Sequence, residues 1–449
     1  MAIALFRIRP FALMSILLVA MYSLSGILLF LIYCYDPMDP NGNITVTFDI
    51  VHWTPDGYVA RVTIQNYYQY RHVDKPGWKL GWTWAKDEVI WSIGGAFATE
   101  GGNCSSFKNE IPHCCKKEPV IVDLTPEASP ENKSEDCCRG GILYSSAINP
   151  SMSFSSFEMK VGNLEGNTSG NAPKNLTLMT PGPGYTCGPI LDAEPTVTLH
   201  IGGRRQVQVF RTWKSACTYS SFLANRTPTC CVSLSAFYNP IITFCPLCSC
   251  GCREADKQTQ TCIRDGYPAS SDITQNLDMV KCTGHMCPVR VHWHVKSNYM
   301  EHWRIKLTIS NYNYRRNYSN WNVLVQHPGF NQDATIYSFN STLLPTVEFE
   351  DEVALFWGIK YYNEELLQAV NNELGSVSTE ILLPKNSNTF TFSNGWAFPR
   401  RIYFNGENCE MPLPDTFPTL PNDSSKQRPF CCLLFVFITL SFKILFASH

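Results

Sequence analysis

The sequence predicts an all-β protein: two related antiparallel β-sandwich domains joined by a disulfide-rich module. Three observations lead there. Residues 44–71 and 289–316 are one segment written twice at a constant offset of 245, so two domains share a framework. Within each copy apolar and polar residues alternate with a period of two, as in a strand with one buried face. Twenty cysteines are present, and Cys245, Cys248, Cys250 and Cys252 crowd one short run between the copies.

The elements follow in order. Ile44, Val46, Phe48 and Ile50 form the apolar face of a first strand, and Thr54-Pro55-Asp56-Gly57 has turn chemistry. Tyr58, Ala60, Val62 and Ile64 line the returning strand. The second copy repeats this with Val289, Val291, Trp293 and Val295, then Trp303, Ile305, Leu307 and Ile309, with Arg304, Lys306, Thr308 and Ser310 opposite. Strands with one apolar and one polar face need a second sheet on the apolar side, which makes a sandwich. Pro76 to Trp82 corresponds, at offset 243, to a strand beginning at Trp321. These signals bound a first sandwich at 35–190, a cysteine-rich module at 191–287, a second sandwich at 288–412 and a linker with C-terminal signal at 413–449.

The ends point to the secretory pathway. Arg7 and Arg9 precede an apolar run from Phe11 to Ile32, the pattern of a signal peptide occupying 1–34. At the other end Asn422-Asp423-Ser424, a polar spacer and the apolar Phe430–Phe446 resemble a glycosylphosphatidylinositol anchor signal, with Asn422 as the lipid-bearing residue. Asn43, Asn103, Asn132, Asn167, Asn175, Asn225, Asn317 and Asn340 begin glycosylation sequons, as does Asn422, where anchoring would remove the required Ser424. In an oxidising compartment the cysteines read as disulfides rather than zinc ligands. Each member of Cys114-Cys115, Cys137-Cys138 and Cys230-Cys231 is expected to pair away from its neighbour. A net charge of −2 argues against a nucleic-acid partner. Aromatics at 13% beside charged residues at 16% suit an uncharged ligand.

Candidate chemistry lies in the aromatics. Exposed rings stack on the apolar C–H face of a β-1,4-glucan while its hydroxyls stay hydrated. Large aromatics on strands more often fill a core, and the repeat separates the two cases. Tyr58 recurs as Trp303, and Trp78 as Trp321, so both read as framework; Trp82 shares a strand face with Trp78 and Leu80 and joins them. Trp53 stands where the second copy has Asn298, and Trp91 has no counterpart. These two are the leading contact residues, with Tyr68 and Trp84 next. His292 and His294 share one strand face but lie among Arg290 and Lys296, so a solvated polar face is the better reading than a metal site. Asp87-Glu88 and the Glu348–Glu352 cluster lack the spacing of a glycosidase pair. No catalytic residue, metal or cofactor is expected.

The Trp-bearing turn, the Asn-aromatic pair and Gly77-Trp78-Lys79-Leu80-Gly81-Trp82 are similar to a family 2 cellulose-binding module. In that family the turn Trp and a later Trp lie on the flat face, matching Trp53 and Trp91. A broader resemblance, to the plant COBRA-like family, covers nearly the whole mature chain. It is carried by Asp39-Pro40-Asn41-Gly42-Asn43-Ile44, Pro112-His113-Cys114-Cys115-Lys116-Lys117, Pro181–Pro189, Cys230-Cys231-Val232-Ser233, His285–Val295 and Gly395-Trp396-Ala397-Phe398-Pro399-Arg400. The resemblance implies a non-catalytic glycoprotein anchored to the outer leaflet of the plasma membrane at the cell wall. Such a protein would bind cellulose and promote microfibril deposition and oriented cell expansion. A signalling or adhesion ectodomain for a wall protein or another polysaccharide is the alternative.

Overall fold

The computed structural model describes residues 36–418, apart from 165–169, 201–204, 225–228, 246–286, 346–351, 386–396 and short breaks at 37, 238, 314–315, 332, 360–362, 364 and 369–374. The signal segment, the anchor signal with Asn422, Cys248–Cys252, Trp396, Asn167 and Asn225 lie outside the described residues. Two compact units result, the first mainly from residues up to 227 and the second mainly from 228 onward.

The first unit contains β1 (Ile44–Thr54), β2 (Gly57–Asn66), β3 (Lys79–Thr83), β4 (Val89–Gly94), β5 (Ala96–Ala98), β6 (Val120–Asp123), β7 (Phe154–Gly162), β8 (Lys174–Met179), β9 (Tyr185–Cys187), β10 (Leu191–Ala193), β11 (Val197–His200), β12 (Arg205–Gln208) and β13 (Arg211–Tyr219). One sheet runs β10-β13-β1-β2-β7-β4, with β9 also on β13; a second runs β5-β6-β3-β8, and β11 pairs with β12 alone. Their inner faces meet in a core that includes Phe48, Val62, Phe157 and Trp213 from the first sheet and Trp78, Leu80, Trp82 and Leu178 from the second. Trp78 stacks on Phe157 at 6.1 Å, and Phe48 meets Trp82 edge-on at 5.5 Å. The expected framework aromatics are therefore buried, Tyr58 included.

The second unit contains β14 (Cys230–Ala236), β15 (Asn239–Thr243), β16 (Val289–Asn298), β17 (His302–Asn311), β18 (Tyr318–Ser319), β19 (Asn322–Gln326), β20 (Thr335–Ile336), β21 (Asn340–Leu343), β22 (Val353–Trp357), β23 (Glu365–Leu366), β24 (Gly375–Pro384), β25 (Arg401–Phe404) and β26 (Glu407–Asn408). Its sheets run β15-β14-β16-β17-β24-β20 and β21-β22-β19-β25-β26. Trp293, Trp303 and Trp321 are buried, so Trp321 matches Trp78 in role as well as in sequence.

The repeat extends to fine detail. Ile44 opposes Asn66 and Trp53 opposes Tyr58, with a bulge between Ile50 and His52. Val289 opposes Asn311 and Asn298 opposes Trp303, with the bulge between Val295 and Ser297. The recurring asparagine has one task twice. Asn66 Nδ2 donates to Arg71 O and Tyr144 O, both at 2.9 Å, while its Oδ1 accepts from Tyr68 N. Asn311 Nδ2 donates to Arg316 O at 2.8 Å and Leu366 O, and its Oδ1 accepts from Asn313 N. Each amide satisfies backbone groups in a buried loop that no strand could pair. The arginine closing that loop also recurs as a cation over a ring: Arg71 lies 3.6 Å above Tyr219, and Arg316 4.8 Å above Tyr318.

Two expectations need correction. Residues 191–287 do not form a separate module where they are described. Strand β13 buries alternate side chains and completes the first sheet against the edge of β1. Strand β14 is buried on both faces and runs parallel to β16 in the second unit, the setting in which a strand loses its apolar-polar alternation. The second correction concerns neighbouring cysteines. Cys137 and Cys138 are bridged to each other, in a turn that places Asp136 and Cys138 at φ of 63° and 79°. Cys230 and Cys231 pair away from each other as expected, with Cys409 and Cys287, whereas of Cys114 and Cys115 only Cys115 is bridged, to Cys104. Cys187 and Cys217 bridge β9 to β13. Cys114 keeps a buried thiol.

Candidate functional site

The fates of Trp53 and Trp91 follow from two bulges. After the β1 bulge Trp53 opposes Tyr58, and directly opposed residues share a sheet face. Tyr58 is buried in the core, so Trp53 is on the core side, at the open end of the sandwich. It packs edge-on to Tyr58 at 5.8 Å and stays partly exposed. Trp91 is the extra residue of a bulge in the edge strand β4, between Ile90 opposite Val161 and Ser92 opposite Lys160. Bulges re-aim a side chain. Its indole covers Gly162, where any Cβ would collide with Nε1 and Cδ1. Gly162 follows the core residue Val161 and so faces away from the core.

Trp53 and Trp91 thus occupy opposite faces of one sheet and do not form a single flat platform. Trp84 and Tyr68 leave the contact set altogether, at 1% and 3% exposure. Trp84 belongs to the apolar face of β3 with Trp78, Leu80 and Trp82, and meets Trp82 edge-on at 5.4 Å. Tyr68 is turned inward by Asn66, and its hydroxyl accepts from Tyr219 N at 2.7 Å. Its neighbour Tyr67 faces out, 51% exposed.

What remains is an aromatic corner on the outer face. Phe107 meets Trp91 edge-on at 5.3 Å, on a loop closed by Cys104–Cys115. His113 N donates to Trp91 O, and Cys114 bridges to Ile90, which ties this loop to β4. Asp56 Oδ2 accepts from Asn163 N at 3.0 Å, and Asn163 Nδ2 donates to Asp87 O at 2.6 Å. Beyond the corner the face is mostly polar: His52, Val59, Lys160 and Ser92 lie in one row, and Arg61 holds Glu158 through Nε and Nη2 at 3.1 and 2.8 Å. Phe107 was missed in the sequence because its loop has no periodicity; its flanking cysteines were the available signal.

In the second unit the equivalent outer face is cationic. Arg290, His292, His294 and Lys296 lie along β16, with Arg304 and Lys306 on β17. A hydrogen-bonded chain crosses from β14: Ser233 Oγ to His292 Nδ1 at 2.6 Å, His292 Nε2 to Ser235 Oγ at 2.8 Å, Ser235 Oγ to His294 Nδ1 at 2.7 Å. Burial, then the charges of Arg290 and His294, lower the His292 pKa to about 4. Burial and Lys306 also lower that of His294. Serine hydroxyls occupy both nitrogens of His292, so it offers a metal no lone pair. Among the described residues no group of three His, Cys, Asp or Glu could hold a metal ion. Glu88 is buried and accepts from Lys86 N at 2.6 Å, whereas Asp87 reaches Lys117 at 3.7 Å; these carboxylates serve separate partners. Asn103, Asn132, Asn175, Asn317 and Asn340 are exposed and Asn43 half-exposed.

Two disulfide-braced β-sandwich units, each with a largely polar outer sheet face, define a two-unit all-β protein. The particular family is shown by comparison. Residues 58–220 match the COBRA N-terminal domain and 229–418 the COBRA family C-terminal domain, a division that agrees with the boundary between the units. The chain is 51% identical over 413 residues to COBRA-like protein 1 of Oryza sativa subsp. japonica, covering 90% of this chain and 91% of that one. It is 52% identical over 415 residues to COBRA-like protein 2 of Arabidopsis thaliana, covering 90% and 93%, and 50% identical over 403 residues to Protein COBRA of the same plant, covering 88% of each. The chain belongs to the COBRA family.

Proposed function

We propose that this protein is a non-catalytic cell-surface glycoprotein, held by a lipid at Asn422 on the outer leaflet of the plasma membrane, that binds cellulose and promotes its ordered deposition in the wall. The observation that carries the binding reading is the Trp91–Phe107 corner, a half-exposed indole beside a mostly polar sheet face. An indole supplies rigid apolar area for the C–H face of a glucose ring, and the neighbouring carboxylates and amides suit its hydroxyls. Trp53, on the other face, serves as a cap for the core instead.

The test is sedimentation of the secreted form with crystalline cellulose. Trp91→Ala should lower retention about tenfold or more, since a stacked aromatic contributes on the order of 1–3 kcal/mol, with thermal stability nearly unchanged. Trp53→Ala should lower stability and leave the affinity of the folded fraction intact. Equal retention of wild type and Trp91→Ala would remove this surface from consideration.

An adhesion or signalling role is the second reading. It is favoured by exposed apolar residues on one continuous segment, Leu191, Val197, Val207 and Phe210, because such residues mark protein contacts more often than sugar contacts. Absence of cellulose retention in the intact glycoprotein, with capture of a wall protein lost on Phe210→Ser, would favour it.

A further inference from the structure

The two copies of the repeat differ most on the outer face, where packing does not constrain them. Thr45, Thr47, Asp49 and Val51 of the first copy become Arg290, His292, His294 and Lys296 in the second; Val59 and Arg61 become Arg304 and Lys306. The carboxylate opposite does not change, since Glu158 opposes Arg61 as Glu380 opposes Lys306. The first face is therefore mixed in charge, while the second sets four basic side chains on β16 and β17 against one carboxylate on β24. Glu380 is already engaged by Lys296 at 2.6 Å and by Arg304 Nε at 2.7 Å. Arg290 lies over the Tyr312 ring at 5.1 Å, and neither it nor Lys306 has a carboxylate within ion-pair distance among the described residues. A framework needs no such excess, because unpaired like charges on a sheet repel.

We propose that this face of the second unit binds an acidic polysaccharide, a polymer whose sugar rings carry carboxylates. Alternate residues on β16 are about 6.6–7 Å apart, so Arg290 to Lys296 span about 20 Å, the length of several sugar residues. Thr308 on β17 and Ser376 and Ser378 on β24 continue the face beside the cations and offer hydroxyls to hydroxyls. His292 and His294 complete the row as neutral hydrogen-bonding groups, held by Ser233 and Ser235. A membrane surface fits less well. The exposed apolar side chains bordering this face, Phe237 after β14 and Tyr337 beside Glu380, are scattered on different strands, whereas interfacial seating requires a continuous apolar face. The proposal goes beyond the cellulose reading and is independent of Trp91.

The experiment measures retention of the glycosylated secreted form on immobilised polygalacturonic acid, on its fully methyl-esterified counterpart and on phosphatidylserine vesicles. The acid polymer should retain the protein, the ester should not, and added salt should release it, because surface ion pairs are screened. Lys296→Gln/Lys306→Gln should weaken retention about tenfold while melting normally and still sedimenting with cellulose. Arg61→Gln, at the position of Lys306 in the first copy, should change nothing, and Trp91→Ala should keep the acid-polymer binding. Equal retention on acid and ester, an unaffected double variant, or retention on vesicles alone would each overturn the proposal.

Discussion

Acidification should weaken the second unit through His292. Its imidazole is half-buried between β14 and β16, bonded to Ser233 and Ser235 and faced by Arg290, His294 and Lys306. Burial and those positive neighbours lower its pKa from 6.5 to about 4. The unfolded chain therefore takes the proton first. The resulting stability is fully present above pH 6.5 and is lost as the pH falls toward 4. At pH 5 the unfolded imidazole is almost wholly protonated and the folded one hardly at all, which amounts to about 2 kcal/mol lost relative to pH 7. For a unit of this size that is a fall of about 4–8 °C in Tm.

Asp39, in the first unit, runs the other way. Burial outweighs its hydrogen bonds from Gln69 and raises its pKa to about 6 from 3.8. The folded state binds that proton first, so its contribution is fully present below pH 3.8 and is lost as the pH rises through 6. Between pH 7 and 5 the first unit should gain about 1 kcal/mol. Calorimetry at the two pH values should thus show the two transitions moving in opposite senses. His292→Thr, which installs the residue of the first copy, should flatten the response of the second transition while His294 keeps its smaller share. A second transition whose pH response is the same in wild type and His292→Thr would refute the reasoning.

Asn66→Ala and Asn311→Ala should each cost about 3–5 kcal/mol in chemical denaturation, because each strands buried backbone groups that have no alternative partner; a loss under 1 kcal/mol would show that water replaces the amide. Trp78→Ala should cost about 3–5 kcal/mol through a cavity against Phe157, and an unchanged Tm would remove Trp78 from the core. Cys409→Ser opens the Cys230 bridge, which spans 179 residues, and should cost about 2–5 kcal/mol in the second unit alone. Phospholipase C specific for phosphatidylinositol should release the protein from plant membranes, and retention of the signal in the pellet would contradict the lipid anchor.

The sandwich was legible because alternation and repetition are local. Ile44 to Ile50 and Val289 to Val295 declare their faces without knowledge of the rest of the chain. Tyr58, Trp78 and Trp82 were correctly placed by the same reasoning. The contact surface was harder to read because its determinants are bulges and partners distant in sequence. Nothing near Trp91 announces that an extra residue turns it over Gly162, 71 positions away. Trp53 misleads for the converse reason: the Ile50–His52 bulge restores it to the core side, although the turn beside it suggests exposure. Tyr68 depends on Asn66, and only the paired amides of Asn66 and Asn311 reveal what that asparagine does. Conspicuous cysteine content makes the surroundings of β13 and β14 look like a module of their own, whereas pairing with β1 and β16 decides where these strands fold.

Duplication separates two kinds of constraint that a single domain would leave mixed. Positions where the copies agree bury side chains or satisfy backbone: the asparagine, the bulge, the arginine over a tyrosine, the aromatic beginning β2 and β17. Positions where they differ in charge lie on the outer face, where a substitution alters little beyond the surface itself. An aromatic corner in one copy and a cationic strip in the other are thus independent variations on one support. If both surfaces bind, a single chain could bridge a neutral crystalline glucan and an acidic matrix polymer. Its retention in a composite of the two should then exceed that in either alone by mass action. Retention equal to the better single component would show that the faces do not act together.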